Sequence, residues 1–145
     1  MFDSILVICT GNICRSPMGE YLLRHRLGRP QVRVASAGTA ALVQHPADAD
    51  AIAVMRAHGI DMEAHRARQV TGELLAAHEL VLTMEEHHSR WLLGRFPTAR
   101  GRVFPIRHWV QAEGAVPDPY CQGREAFEQT WTLLEEAVDA WVQRL

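Results

Sequence analysis

The sequence predicts an α/β fold: a single domain with a four-stranded parallel sheet and helices on both faces. Three observations carry this expectation. Short apolar runs of strand length alternate with segments of helical periodicity. The first run, Ile5-Leu6-Val7-Ile8, is apolar at every position, as befits a strand covered on both sides. A chain of 145 residues suffices for one hydrophobic core but not comfortably for two. No repeat, low-complexity stretch or linker divides it, so residues 1–145 read as one domain.

The elements follow in order. Ser4–Ile8 is the first strand. Ser16 then reads as an N-cap with Pro17 at the first helical position. Met18, Tyr21 and Leu22 share one face of that helix, which Gly28 and Pro30 stop. Val32–Ser36 alternates like a second strand and leads into Ser36-Ala37-Gly38. Asp48 to His58 reads as a second helix, with Gly59 in the left-handed position after it. Leu80-Val81-Leu82 is a third strand, followed by a polar helix from Glu85 to Leu93. On that helix His87-His88 reads as a solvated face, because no metal-ligand spacing surrounds it. Val103-Phe104-Pro105-Ile106 is the fourth strand, its proline best tolerated at an edge. Phe127, Trp131, Leu134, Val138, Trp141, Val142 and Leu145 keep helical spacing over the last segment and mark its core face.

Composition narrows the function classes. The chain is 48% hydrophobic and 22% charged with a net charge of −2, which favours neither a nucleic-acid partner nor a polybasic membrane anchor. Met1-Phe2-Asp3-Ser4 enters the first strand with no room for a signal peptide, and no apolar run approaches the ~18 residues of a membrane span. Three cysteines, an odd number, fit reduced thiols. A cytoplasmic protein without membrane insertion is expected.

The chemistry concentrates in Cys9-Thr10-Gly11-Asn12-Ile13-Cys14-Arg15-Ser16-Pro17. The segment joins the carboxyl end of the first strand to the next helix, where open parallel sheets bind ligands. Amides from Thr10 to Arg15 can curl around an anion, and the helix dipole adds to their field. Gly11 permits a positive φ and Asn12 tolerates one. Arg15 can grip two phosphate oxygens at once. The same positive field favours a thiolate on Cys9. Neither a Gly-Lys-Ser/Thr ending nor a G-x-G-x-x-G pattern is present.

C-T-G-N-I-C-R-S-P closely resembles the phosphate loop of the low-molecular-weight protein tyrosine phosphatases. The resemblance runs the length of the chain through Ser36-Ala37-Gly38, His65-Arg66-Ala67-Arg68-Gln69 and Pro117-Asp118-Pro119-Tyr120. The patterns Leu-Thr-Met-Glu, His108-Trp109 and Arg124-Glu125-Ala126-Phe127 are similar to the bacterial branch linked to capsule and exopolysaccharide export. The resemblance implies the phosphotyrosine protein phosphatase I-like fold and a catalytic set of Cys9 as nucleophile, Arg15 as phosphate clamp and Asp118 as general acid and base. It implies substrate contacts from Thr10, Gly11, Asn12, Ile13, Cys14 and Ser16. Tyr120 matches an aromatic beside the substrate ring, and Leu42 stands where other branches carry an aromatic. Asn12 and Ser16, with Ser36 and His65, match a network that holds the loop. No metal or cofactor is called for. The implied partner is a phosphotyrosine protein, a bacterial tyrosine autokinase in this branch, with the enzyme acting as a monomer.

Two rivals share the fold. A protein-arginine phosphatase resembles this chain but carries threonine where Ile13 stands. A thiol-redox enzyme of the arsenate reductase kind needs a further cysteine pair near the third strand, and Leu80–Leu93 has none. A different class of reading is a thiol redox sensor, which leaves Asp118 without a task, or a silent phosphate binder, which is expected to have lost Cys9, Arg15 or Asp118, and all three stand. Cys14, five residues from Cys9, is positioned to form a reversible disulfide that guards it.

Overall fold

The computed structural model describes residues 2–110 and 114–145. Four strands, β1 (Ser4–Cys9), β2 (Arg33–Gly38), β3 (Leu80–Thr83) and β4 (Val103–Pro105), form one parallel sheet in the order β2-β1-β3-β4. Among the described residues five helices connect and cover them: α1 (Arg15–Leu27), α2 (Ala49–Ala57), α3 (Gly72–Ala76), α4 (Glu86–Arg95) and α5 (Arg124–Val142). The expected single α/β domain is therefore the observed one.

Strand β1 explains the two-sided burial. All six of its residues are buried, and successive side chains point to opposite faces. Ile5, Val7 and Cys9 enter the larger core, with Met18 and Leu22 of α1, Met55 of α2 and Phe127, Leu134 and Val138 of α5. Leu6 and Ile8 enter a smaller core on the other face with Leu75 of α3 and Leu92 of α4. The chain leaves β1 for β2 on one side and returns to β3 on the other. The loop after β1 thus lies at the switch point of the sheet.

Several boundaries differ from expectation. Helix α1 begins at Arg15 with Cys14 in the cap position, so Ser16 and Pro17 are its second and third residues, not its cap and first. The Ser16 hydroxyl is drawn instead into contacts under the loop, described below. Strand β2 runs on to Gly38 because Gly38 continues the parallel pairing opposite Cys9. Helix α3 and a 3₁₀ turn at Pro97–Ala99 were not expected; five and three residues are too short to display a period. Helix α4 starts at Glu86, capped by Glu85, and runs to Arg95. Gly28 (φ 60°) and Gly59 (φ 83°) do take the left-handed terminal conformation, Asp48 caps α2, and β4 with Pro105 is an edge strand.

Candidate active site

The segment from Cys9 to Cys14 leaves the sheet with every carbonyl turned outward and occupied. Thr39 N donates to the Cys9 carbonyl, Ala40 N to Thr10, Leu42 N to Gly11, Asp48 N to Ile13 and Met18 N to Cys14, all at 3.0–3.1 Å except 2.8 Å for Ile13. His65 Nε2 donates to the Asn12 carbonyl at 2.7 Å. With the carbonyls pinned outward, the intervening amides face the opposite way. Those of Gly11 to Arg15 donate to no protein acceptor among the described residues. An arc of unpaired N–H groups closed by a helix N-terminus is an anion site.

A buried polar chain fixes this shape. Asn12 sits at φ 59°, the left-handed conformation the turn requires. Its Nδ2 donates to Ser16 Oγ at 2.7 Å and Ser36 Oγ at 2.9 Å, while Oδ1 accepts from Arg68 N at 2.9 Å. Ser36 passes its own hydrogen to Glu20 Oε1 at 2.6 Å. Ser16 Oγ lies 2.8 Å from Cys9 Sγ. Because Ser16 already accepts from Asn12, its hydrogen is free to point at the sulfur and stabilise negative charge there. Asn12 and Ser16, expected among the substrate contacts, are fully buried beneath the loop and act from below. Ser36 and His65 both contact Asn12, one at its side chain and the other at its carbonyl. Gln69 clamps the flanking strand-to-helix segment through Thr39 O and Ala41 N.

Above the arc lies a cleft of about 310 Å³ lined by Cys9, Thr10, Gly11, Ile13, Cys14, Arg15, Ala40, Leu42, Asp118 and Tyr120. Leu42 and Tyr120 are 42% and 48% exposed, so both can offer surface to an incoming ring. Asp118 accepts from Tyr120 N through Oδ1 at 3.1 Å, which leaves Oδ2 3.9 Å from the Arg15 guanidinium. The expected residues from distant parts of the chain therefore meet in one place.

Arg15 is 2% exposed and needs partners. It donates to the Val116 carbonyl at 2.9 Å and pairs with Glu85. Burial would raise the Glu85 carboxyl, but the Arg15 hydrogen bond and charge, aided by His87, hold it below its ordinary range. From the sequence Glu85 reads as the start of a polar helix and the end of the Leu-Thr-Met-Glu pattern, with no sign that it holds Arg15. His88 corrects a second expectation: it is fully buried, not solvated. Burial first, then the Arg15 and His87 charges, push its pKa down to about 4, so it is neutral near pH 7. Its two nitrogens contact Glu85 N (3.1 Å) and Thr10 Oγ1 (2.9 Å). Glu85, His87 and His88 cluster within metal-ligand range. Glu85 is committed to Arg15, however, and both His88 nitrogens are engaged inside the protein.

Cys14 lines the cleft as a free thiol. Burial first, then the charges of Asp48, Cys9 and Asp118, push it strongly upward and keep it protonated.

A sequence profile of the low molecular weight phosphotyrosine protein phosphatases matches residues 4–145. The chain belongs to this family. It is 45% identical over 144 residues to the low molecular weight protein-tyrosine-phosphatase Etp of Escherichia coli K12, covering 99% of this chain and 95% of Etp. It is similar to the crystal structure of the tyrosine phosphatase Wzb from Escherichia coli K30 in complex with sulphate, with a TM-score of 0.94 and 45% identity over 99% of each chain. A cysteine-to-serine mutant of the YwlE arginine phosphatase, with a phosphorylated active site serine, shares the fold at a TM-score of 0.90 and 32% identity, covering 98% of this chain and 95% of that one. The family and the fold thus agree with the resemblance read from the sequence. No helix among the described residues is long and apolar enough to cross a membrane.

Proposed function

We propose that this phosphatase hydrolyses protein phosphotyrosine through a cysteinyl-phosphate formed on Cys9. The inward-facing amide arc with Cys9 and Arg15 at its ends carries this reading. The arc and Arg15 hold the three non-bridging oxygens, and their field stabilises charge that builds in the transition state. Sulfur attacks phosphorus in line as the bond to the tyrosyl oxygen breaks. A phenol of pKa near 10 is a poor leaving group as an anion, so Asp118 supplies its proton, a gain of about 10²–10⁴-fold. Asp118 then takes a proton from the water that cleaves the S–P bond, and phosphate leaves. Every proton is returned, and no metal takes part.

Tyr120 and Leu42 flank the substrate ring. Ile13, 9% exposed in the cleft, offers a phosphoguanidinium no polar partner, which favours phosphotyrosine over phosphoarginine. The protein partner in this reading is a bacterial tyrosine autokinase of exopolysaccharide export, dephosphorylated by a monomeric, cytoplasmic enzyme. Support comes from the sequence patterns shared with that branch and from the similarity to Etp and Wzb.

Two variants test the chemistry. Cys9→Ser abolishes turnover and keeps inorganic phosphate binding by calorimetry; substantial residual hydrolysis overturns the nucleophile. Asp118→Asn loses far more activity on a phosphotyrosine peptide than on para-nitrophenyl phosphate, whose leaving group is a much stronger acid. Equal losses overturn the acid role. Assay against a phosphorylated bacterial tyrosine autokinase of exopolysaccharide export tests the partner, and no release of phosphate there refutes it.

A further inference from the structure

The first turn of α4 touches the phosphate site twice. Glu85 caps the helix and its carboxylate holds Arg15. Three residues on, His88 closes a capping box from the third helical position, where glutamate or glutamine is usual. Its Nδ1 accepts from Glu85 N at 3.1 Å. An imidazole nitrogen that accepts carries no proton, so in the neutral ring the hydrogen belongs to Nε2. Nε2–H therefore donates to Thr10 Oγ1, 2.9 Å away and 78 residues distant in sequence. His88 is fully buried, so no water competes for either nitrogen. Thr10 follows Cys9 directly, and the amide of Gly11, which opens the unpaired stretch of the arc, begins at the Thr10 carbonyl carbon.

We propose that His88 is a positioning residue of this phosphatase, holding Thr10 and thereby the amide arc in register with the Glu85-anchored guanidinium of Arg15. A single helical turn then fixes both halves of the anion site relative to each other. Nothing else described ties the Thr10 side chain: its backbone carbonyl is held separately by Ala40 N at 3.0 Å. The cap sets the tautomer, the tautomer sets the donor, and the donor sets the loop. A residue that misplaces reacting groups by even a fraction of an ångström lowers the rate without touching substrate.

This inference rests on the phosphatase reading, and its test separates the two. His88→Phe, His88→Gln, Thr10→Val and the His88→Phe/Thr10→Val double variant are compared in kcat and KM for a phosphotyrosine peptide, in inorganic phosphate affinity by calorimetry, and in thermal midpoint. His88→Phe and Thr10→Val each lower kcat/KM about five- to twenty-fold and weaken phosphate binding in step, since each removes the same hydrogen bond. The double variant is no worse than the poorer single variant, because the two losses are one interaction. Glutamine places an acceptor and a donor about as far apart as the two imidazole nitrogens, so His88→Gln recovers part of the loss. Thr10→Val is nearly isosteric and keeps the helix cap, so it reads the interaction even where His88→Phe folds poorly. A lower thermal midpoint with unchanged kcat and phosphate affinity overturns the proposal, as do additive losses in the double variant. A wild-type protein that binds phosphate without hydrolysing the peptide refutes the phosphatase reading, and the phosphate affinities then decide on His88 independently.

Discussion

Replacing Gly38 by alanine attacks the loop without touching a reactive group. A Cβ at Gly38 would stand 2.2 Å from the Thr10 carbonyl oxygen and 3.1 Å from Asn12 N, whereas ordinary contact begins at 3.4 Å. The strand cannot retreat: Gly38 N donates to Arg68 O and Gly38 O accepts from Val70 N, each at 2.9 Å, and Gly38 pairs with Cys9 in the sheet. The loop must therefore move by about 1 Å, carrying the Thr10 carbonyl off Ala40 N and the Asn12 amide out of the arc. Displacement on that scale costs about 10²-fold in rate, and the overpacking costs about 1–3 kcal/mol in stability. Gly94→Ala is the control. It meets nothing within 4 Å and lies inside α4, so it gains about 0.5–1 kcal/mol of helix propensity with unchanged kcat. The assay is kcat/KM on a phosphotyrosine peptide beside thermal midpoints and phosphate affinity. A Gly38→Ala enzyme within about two-fold of wild type would refute the claim that close packing of β2 shapes the arc.

Three other perturbations follow from the same geometry. Glu85→Gln leaves Arg15 buried beside a neutral amide; stability falls by about 2 kcal/mol, allowing for the partial exposure of Glu85, and kcat/KM falls more than ten-fold, with saturating phosphate restoring much of the thermal midpoint. Stability also climbs as pH rises from about 4 to about 6.5. In that window unfolded His88 binds a proton that folded His88, at about 4, refuses, so the unfolded state carries the excess protons and loses ground as they leave. The difference amounts to about 3 kcal/mol. Buried His78 shifts the same way, and Glu85, lowered by Arg15, adds its loss only below the ordinary carboxylate range. Denaturant unfolding at stepped pH shows this slope, and His88→Phe flattens it by about one proton. Finally, Cys14→Ser keeps peptide hydrolysis near wild type under reducing conditions but recovers less activity when dithiothreitol follows peroxide. Equal recovery removes the guarding role from Cys14.

What the sequence disclosed and what it hid divide along a physical line. Cys9 and Arg15 stand out from the sequence because a thiol and a guanidinium flank a strand-then-loop-then-helix segment suited to an anion, whereas Asp118 enters only through the family resemblance, since Pro-Asp-Pro alone reads as a turn. The sheet was legible because Ile5 to Ile8 has no polar face to offer water. The N-cap reading of Ser16 and the solvated reading of His88 fail for a common reason, although the resemblance also placed Ser16 in the network that holds the loop. Each sits where local rules give a sufficient account, an N-cap for one and a polar helix face for the other, yet each is claimed by partners the local rules cannot see. Ser16 is taken by Cys9 and Asn12, and His88 by Thr10, 78 residues away. Glu85 meets Arg15 across 70 residues. Gly38 makes the same point from the opposite direction. Its φ is not in the left-handed range that marks a glycine as necessary, and only the 2.2 Å gap to another segment makes it so. Cys9 and Arg15 can be recognised from one short segment, whereas residues that hold chemistry in place exist only as pairs. A single sequence shows the members of such a pair but not the pairing: the resemblance names Asn12, Ser16, Ser36 and His65 as a network, and the fold adds Glu85, His88 and Gly38, which no motif marked as supports.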